Sequence, residues 1–229
     1  MVMLQHRDRI SIQVGLSGYS FKVWDSSSDS RASEWLSADR IFTTSEFQRR
    51  YEEVEVSVFT PKVTLVPANF YSRENAREML AEVVDLSDED AVESIEIPQL
   101  ASVLIYSTAI GETLSKVISQ TVLKTDGSKA RILPEIYFML RELGNLQEYN
   151  KILASYMDGV LCLVIAQGKT LLLCNTYQAK DFTTAQYFIF LALKKLQLNP
   201  EVSTITFRTH LEEDEEMSLY RYFKSVEQI

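Results

Sequence analysis

At 229 residues, with 46% apolar and 24% charged side chains, the chain has the composition of an ordinary globular protein with a sizeable core. Its formal charge of −9, from 23 basic and 32 acidic residues, repels phosphate-rich partners, and Lys and Arg never run longer than Arg49-Arg50 and Lys194-Lys195. Nucleic acid and anionic membranes are therefore not expected partners. No apolar run nears the roughly 20 residues of a membrane span, so no membrane insertion is expected.

The first nine residues lack the apolar core of a secretory signal. Two cysteines, Cys162 and Cys174, make no disulfide framework and are expected as reduced thiols in the cytoplasm.

In chain order, residues 10–16 alternate apolar and polar with period two, Ser17-Gly18 is a turn signal, and residues 19–24 alternate again. This predicts a hairpin of half-buried strands. Residues 25–33 are Ser-rich and read as a loop, with a third strand over 35–43. Residues 54–59 and 63–66 read as a pair of short strands, stopped by Pro67. Ser72 is the expected N-cap of an amphipathic helix carrying Ala76, Met79, Leu80, Val83 and Val84. Acidic residues 88–96 read as a solvated connection. An apolar run at 103–106 precedes a helix through Leu114, Val117 and Ile118. Another helix is predicted over 132–143, with Pro134 in its first turn and Gly144-Asn145 as its stop.

The second half opens as the first does. Residues 152–156, the turn pair Asp158-Gly159, residues 160–166, the turn Gln167-Gly168-Lys169 and residues 170–177 predict a three-stranded antiparallel meander. Asp181 is the expected cap of a helix through Phe182, Ala185, Phe188, Ile189, Ala192, Leu193 and Leu196, halted by Asn199-Pro200. A strand over 203–208 follows. The acidic run 212–216 opens a last helix carrying Leu219, Tyr220, Phe223 and Val226.

This element order, seen twice, is similar to the duplicated ribonuclease H-like layout of the actin-like ATPase superfamily. Leu65-Val66-Pro67-Ala68-Asn69-Phe70-Tyr71, the stretch 171–178, Asp181-Phe182, the stretch 192–200 and Tyr220-Arg221-Tyr222 resemble an uncharacterised bacterial domain family of unknown function. The resemblance implies an α/β fold of two ribonuclease H-like subdomains in an actin-like ATPase arrangement, with mixed sheets opening as antiparallel meanders. It divides the chain into a first half with connecting helices, 1–145, and a shorter second half, 146–229. It implies no assigned activity, as with the cytoplasmic actin-like proteins of pilus and type II secretion assembly.

Active members of that superfamily carry an Asp-x-Gly loop after the first strand of each half. The carboxylate holds hydrated Mg²⁺ and the glycine lets backbone approach phosphate. Here the first such stretch reads Gln13-Val14-Gly15, an amide that contributes no charge to a metal. The second reads Asp158-Gly159-Val160, with the carboxylate but without the spacing. Gln13, Gly15, Asp158 and Gly159 are therefore the candidate remnants of two phosphate loops, set against the plain reading of Asp158-Gly159 as a type I′ hairpin turn.

Other candidates have weaker chemistry. His6 and His210 are the two histidines, and neither has a spaced second ligand. Residues 212–216 lack the alternating ligands and glycine of a calcium loop and suit a helix start. A three-residue turn at 167–169 would set Cys162 opposite Cys174, with inert core thiols the favoured reading over a redox pair. The aromatics Tyr187, Phe188, Phe190, Tyr220, Tyr222 and Phe223 exceed what one helix stripe buries, and any left exposed would mark a protein-binding patch.

The sequence thus leads to a cytoplasmic, non-catalytic protein that binds another protein or its own copy, with no metal and no cofactor. An ATP-binding or sugar-kinase-like enzyme with a divergent cleft around Asp158 is the alternative. A ribonuclease H-like nuclease is the third reading, opposed by the charge.

Overall fold

The structure, a computed structural model, describes residues 8–25, 30–107 and 112–229. The first strands are β1 (Arg9–Val14), β2 (Gly18–Trp24), β3 (Ser30–Ala32), β4 (Leu36–Ser37), β5 (Glu53–Val58) and β6 (Val63–Pro67). Helix α1 (Ala76–Ala81), β7 (Val92–Ile97), β8 (Ser102–Ser107), α2 (Glu112–Thr121), β9 (Ile132–Pro134) and α3 (Glu135–Glu142) follow. The chain closes with β10 (Asn150–Met157), β11 (Val160–Gln167), β12 (Thr170–Gln178), α4 (Phe182–Lys195), β13 (Thr204–Phe207), α5 (Glu213–Tyr220) and β14 (Ser225–Gln228).

Cα packing separates two compact units, one of the described residues in Met1–Val58 and Gly111–Leu133, the other of those in Phe59–Ile110 and Pro134–Ile229. Sheet one runs β3-β2-β1-β5-β9, with β4 also on β2; sheet two runs β12-β11-β10-β13-β14. With the two-residue β4 set aside, each follows the order third-second-first-fourth-fifth within its own strand set. In each, the first strand pairs antiparallel with the second and parallel with the fourth. This is the duplicated ribonuclease H-like layout in mixed α/β form. The second unit also holds a third sheet, β6-β8-β7, all antiparallel.

The hairpin predicted at 10–24 is present, but its strands are not half-exposed. Ile10, Ile12 and Val14 face a core with Phe21, Val54, Val56 and α2's Ile118. The alternate residues Ser11 and Gln13 are only 5% and 7% exposed, as are their neighbours Ser20, Glu55 and Ser57 to a similar degree. Sheet one therefore buries a polar face as well as an apolar one. Gly18 cannot carry a side chain: a Cβ there would lie 2.3 Å from the Trp35 ring and 2.4 Å from the Leu36 carbonyl oxygen.

Several elements differ from the sequence expectation. Part of the 25–33 loop is strand β3, and the strand expected over 35–43 shrinks to two residues before a 3₁₀ turn at Ala38–Arg40. β5 and β6 both form but in different sheets, since β5 joins β1 and β6 joins β8. α1 begins at Ala76, after an Asn75 whose side chain makes no cap bond, so Ser72 is not its N-cap. Residues 132–134 extend sheet one, and the helix starts only behind Pro134. The last helix ends at Tyr220, and Val226 lies instead in β14, parallel to β13.

Sheet two carries α4 and α5 on the face of Ile152, Ala154, Leu161, Leu163, Ile205 and Phe207, where Ala185, Ile189, Leu193 and Leu219 pack. α3 covers the opposite face, over Ser155.

Candidate functional site

Gln13 lies in β1 opposite Ser20, whose hydroxyl donates to Gln13 Oε1 at 3.2 Å. Two residues on, the Gly15 amide donates to the Gly18 carbonyl at 2.9 Å and closes the β1–β2 turn. In sheet two the same position, between first and second strands, is the Asp158-Gly159 turn. Met157 pairs with Val160 across it, and both turn residues are left-handed, with φ 47° and 79°. Two consecutive positive φ values make a type I′ turn, the form that suits the twist of a two-residue hairpin. The Gly159 carbonyl accepts from the Ala179 amide at 2.8 Å. Gly15 thus begins one turn and Asp158-Gly159 form the other, each between the first and second strands of its sheet, while Gln13 stays within β1, one pair before the turn.

The strand directions bring further groups to the Asp158 edge. β10, β12 and β13 run the same way, so the turn after β10 and the starts of α4 and α5 share one edge of sheet two. Ligands of open α/β sheets dock at this carboxyl edge, where helix N-termini offer unpaired N–H groups. Here acidic side chains of the edge itself already take some of those groups. Asp181 Oδ1 accepts from the Thr184 amide and hydroxyl, each at 2.7 Å. Glu212 and Glu215 form a capping box at α5, with the Glu212 amide donating to Glu215 at 3.1 Å. Burial, and then the charges of Asp181, Glu215 and Asp158, push the Tyr156 phenol above its ordinary range. Burial likewise raises the Glu215 carboxyl. The edge is a field of carboxylates around a tyrosine.

Two ion pairs with a fully buried carboxylate among the described residues have no signature in the sequence. Glu135 Oε1, at the first turn of α3, accepts from Ser155 Oγ at 2.7 Å and Arg208 Nη1 at 2.8 Å. Arg208 lies over the Phe138 ring at 5.3 Å, and Glu135 Oε2 is buried without a hydrogen-bond partner. In the third sheet's unit, Asp90 is 3% exposed rather than solvated. It takes Lys62 Nζ at 2.5 Å, the Ser87 amide at 2.7 Å and the Ser107 hydroxyl at 2.8 Å. The Lys62 ammonium and these donors hold its carboxyl well below the usual range.

The turn between β11 and β12 is one residue tighter than expected, pairing Gln167 with Thr170. With a further register shift between Ile165 and Ala166, Cys162 faces Thr176 and Cys174 faces Val164, so the thiols are not opposite each other. Burial pushes Cys174 up to about 12, and burial followed by the Glu135 charge raises Cys162, so both stay protonated and inert at neutral pH. His210 is exposed in the loop before α5, and His6 lies outside the described residues. Among the described residues no group of three or more His, Cys, Asp or Glu side chains is placed to hold a metal ion. No helix among them is long and apolar enough to cross a membrane. Of the aromatics, Phe223 is core and Phe188 and Phe190 are half-buried, while Tyr187, Tyr220 and Tyr222 are exposed.

The repeated strand order places the chain in the class of actin-like ATPase folds. A protein of Bacteroides thetaiotaomicron with that fold and unknown function superposes with a TM-score of 0.66 at 16% identity, covering 100% of this chain and 94% of the other. The chain belongs to the family described as protein of unknown function (DUF3822), whose model matches residues 4–226. More distant are the PilM–PilN type IV pilus biogenesis complex (TM-score 0.47, 11% identity, 97% and 88% of the chains) and the ethanolamine utilization protein EutJ of Carboxydothermus hydrogenoformans (0.36, 9%, 96% and 84%). No curated protein matches the chain.

Proposed function

We propose that this chain is a non-catalytic protein-binding or assembly protein on a degenerate actin-like fold. In this reading Gln13, Gly15, Asp158 and Gly159 are remnants of two phosphate loops. The observation that carries it is the carboxyl edge of sheet two. There Asp181 caps α4, Glu215 and Asp214 accept from amides at the start of α5, and Asp158 adds a further negative charge. A triphosphate needs the reverse, with open N–H groups and positive or neutral surroundings. Gln13 supports the reading from sheet one, since its amide oxygen is held by Ser20 and brings no charge to a metal.

In this reading the halves are residues 1–145 and 146–229, supported by sheet one lying within the first and sheet two within the second, although the chain crosses between the compact units after residues 58, 110 and 133. A cytoplasmic location, without cofactor or resident metal, belongs to the same reading.

Thermal unfolding with and without Mg²⁺-ATP tests it against the enzyme alternative. A ligand at 100 times its dissociation constant adds about 2.7 kcal/mol, a rise of about 5–10 °C for a chain of this length. The expected result is no shift with any nucleotide. A rise abolished by Asp158→Asn, which keeps the turn and removes the charge, overturns the proposal in favour of the enzyme.

A further inference from the structure

We infer that the outer face of the α4–α5 layer is the surface on which two copies of this chain pair across a two-fold axis. This rests on the protein-binding reading and names the chain itself as the partner.

The two helices are adjacent and parallel. Both start at the carboxyl edge of sheet two and run to the opposite edge, where β13 and β14 begin. Gln186 donates to the Ser218 hydroxyl between them. Phe190 meets Tyr222 at 4.9 Å and Phe223 at 5.7 Å. Their inner sides are spent on the sheet, yet the outer side keeps Tyr187 61%, Met217 59% and Tyr222 52% exposed. Tyrosine and methionine are the residues that concentrate at the centres of protein interfaces, and the core of sheet two gains nothing from leaving them in water.

Charge selects the occupant. At the starting end of the layer Asp181, Glu213 and Asp214 are exposed, and at its finishing end Lys194, Lys195 and Arg221 are exposed. Lys180 is an exposed cation beside Asp181 at the acidic end and Glu201 an exposed carboxylate near the basic end, and neither changes the gradient's sign. Because the helices are parallel, their gradients add instead of cancelling. A surface acidic at one end, apolar in the middle and basic at the other complements its own copy turned through 180°. Acid then meets base twice, and the aromatic centres meet once, the symmetry of an isologous dimer. The net charge of −9 opposes pairing of two copies in general, and an orientation that sets acid against base offsets that repulsion.

Sedimentation equilibrium of the full 26.3 kDa chain tests the proposal. A dimer is expected, weakened by added salt. Tyr187→Glu with Met217→Glu weakens it at least about tenfold while leaving thermal unfolding of the protomer in place, since both side chains are more than half exposed. Lys194→Glu with Lys195→Glu also weakens it, as does Glu213→Lys with Asp214→Lys, and the four changes together recover part of it, because the exchanged side chains again set opposite charges against each other while Asp181 and Arg221 keep theirs. A monomer at every accessible concentration, a dimer indifferent to these changes, or a four-fold variant no tighter than the two-fold ones overturns the inference. A monomer that also ignores nucleotide leaves the protein-binding reading intact with a different partner. A nucleotide-induced shift overturns that reading and not the dimer.

Discussion

Glu135 and Arg208, with side chains 0% and 5% exposed, are 73 residues apart in sequence and tie the first turn of α3 to the end of β13. Two charges withdrawn from water are tolerated only as a pair, so removing one leaves the other stranded. Glu135→Ala or Arg208→Ala is expected to lower stability by about 3–5 kcal/mol in urea unfolding, whereas Glu135→Leu with Arg208→Met together costs far less. Equal losses in the single and double variants would show the pair to be uncoupled. Such a contact has no signature in the chain: nothing around Arg208 in Thr206-Phe207-Arg208-Thr209 differs from a solvated strand end. The Cys162 thiol was legible by contrast, because Leu161, Leu163 and Val164 around it make a run that only a core accepts, whereas Cys174, followed by Asn175, is half-buried. Cys162, buried within β11, is accordingly expected to react with a thiol reagent only on unfolding; labelling in native buffer at neutral pH would contradict the raised pKa.

At the scale of elements, the readable parts were those whose signal is local. Asp158-Gly159 and Asp181 announced a turn and a cap, and the structure has both. The turn gives a graded prediction. Asp158→Asn keeps a residue tolerant of positive φ and is expected to be nearly neutral in urea unfolding. Gly159→Val forces a β-branched side chain to φ 79° and is expected to cost about 1–2 kcal/mol or more. Equal effects would mean the hairpin tolerates another turn type. The misread elements depend on partners far off in sequence. β14 is a strand because β13 offers it a parallel edge, and the spacing of Leu219, Tyr220, Phe223 and Val226 mimicked a helical stripe across the Tyr220–Ser225 break. β7 has Glu93 and Glu96 among its apolar residues because it edges the third sheet, so its composition resembled a loop. Of the proposed site, the neutral amide of Gln13 could be read from the sequence. The self-capped edge was not, since it exists only once β10, β12 and β13 are aligned.

For the whole molecule, the buried titratable groups define the pH range over which the fold holds. Asp90 is ionised with its carboxyl well below 3.8, so the folded state binds its proton more weakly than the unfolded chain does. Its contribution to stability is complete above the unfolded value and is lost as pH falls from about 4 toward the folded value. Tyr19, Tyr51 and Tyr156 are raised by burial above 10.0, so the folded state holds their protons more tightly. Their contribution is present below about 10 and lost as pH rises through the folded values. Stability measured by urea midpoint is therefore expected to be flat between about pH 5 and pH 9 as far as these groups are concerned, falling on both sides. Asp90→Asn separates the limbs. It removes the carboxylate that Lys62, Ser87 and Ser107 surround, lowering the plateau and flattening the acid limb, and leaves the alkaline limb unchanged. An acid limb of unaltered slope in that variant would place the loss of stability on other carboxylates and remove Asp90 from the account.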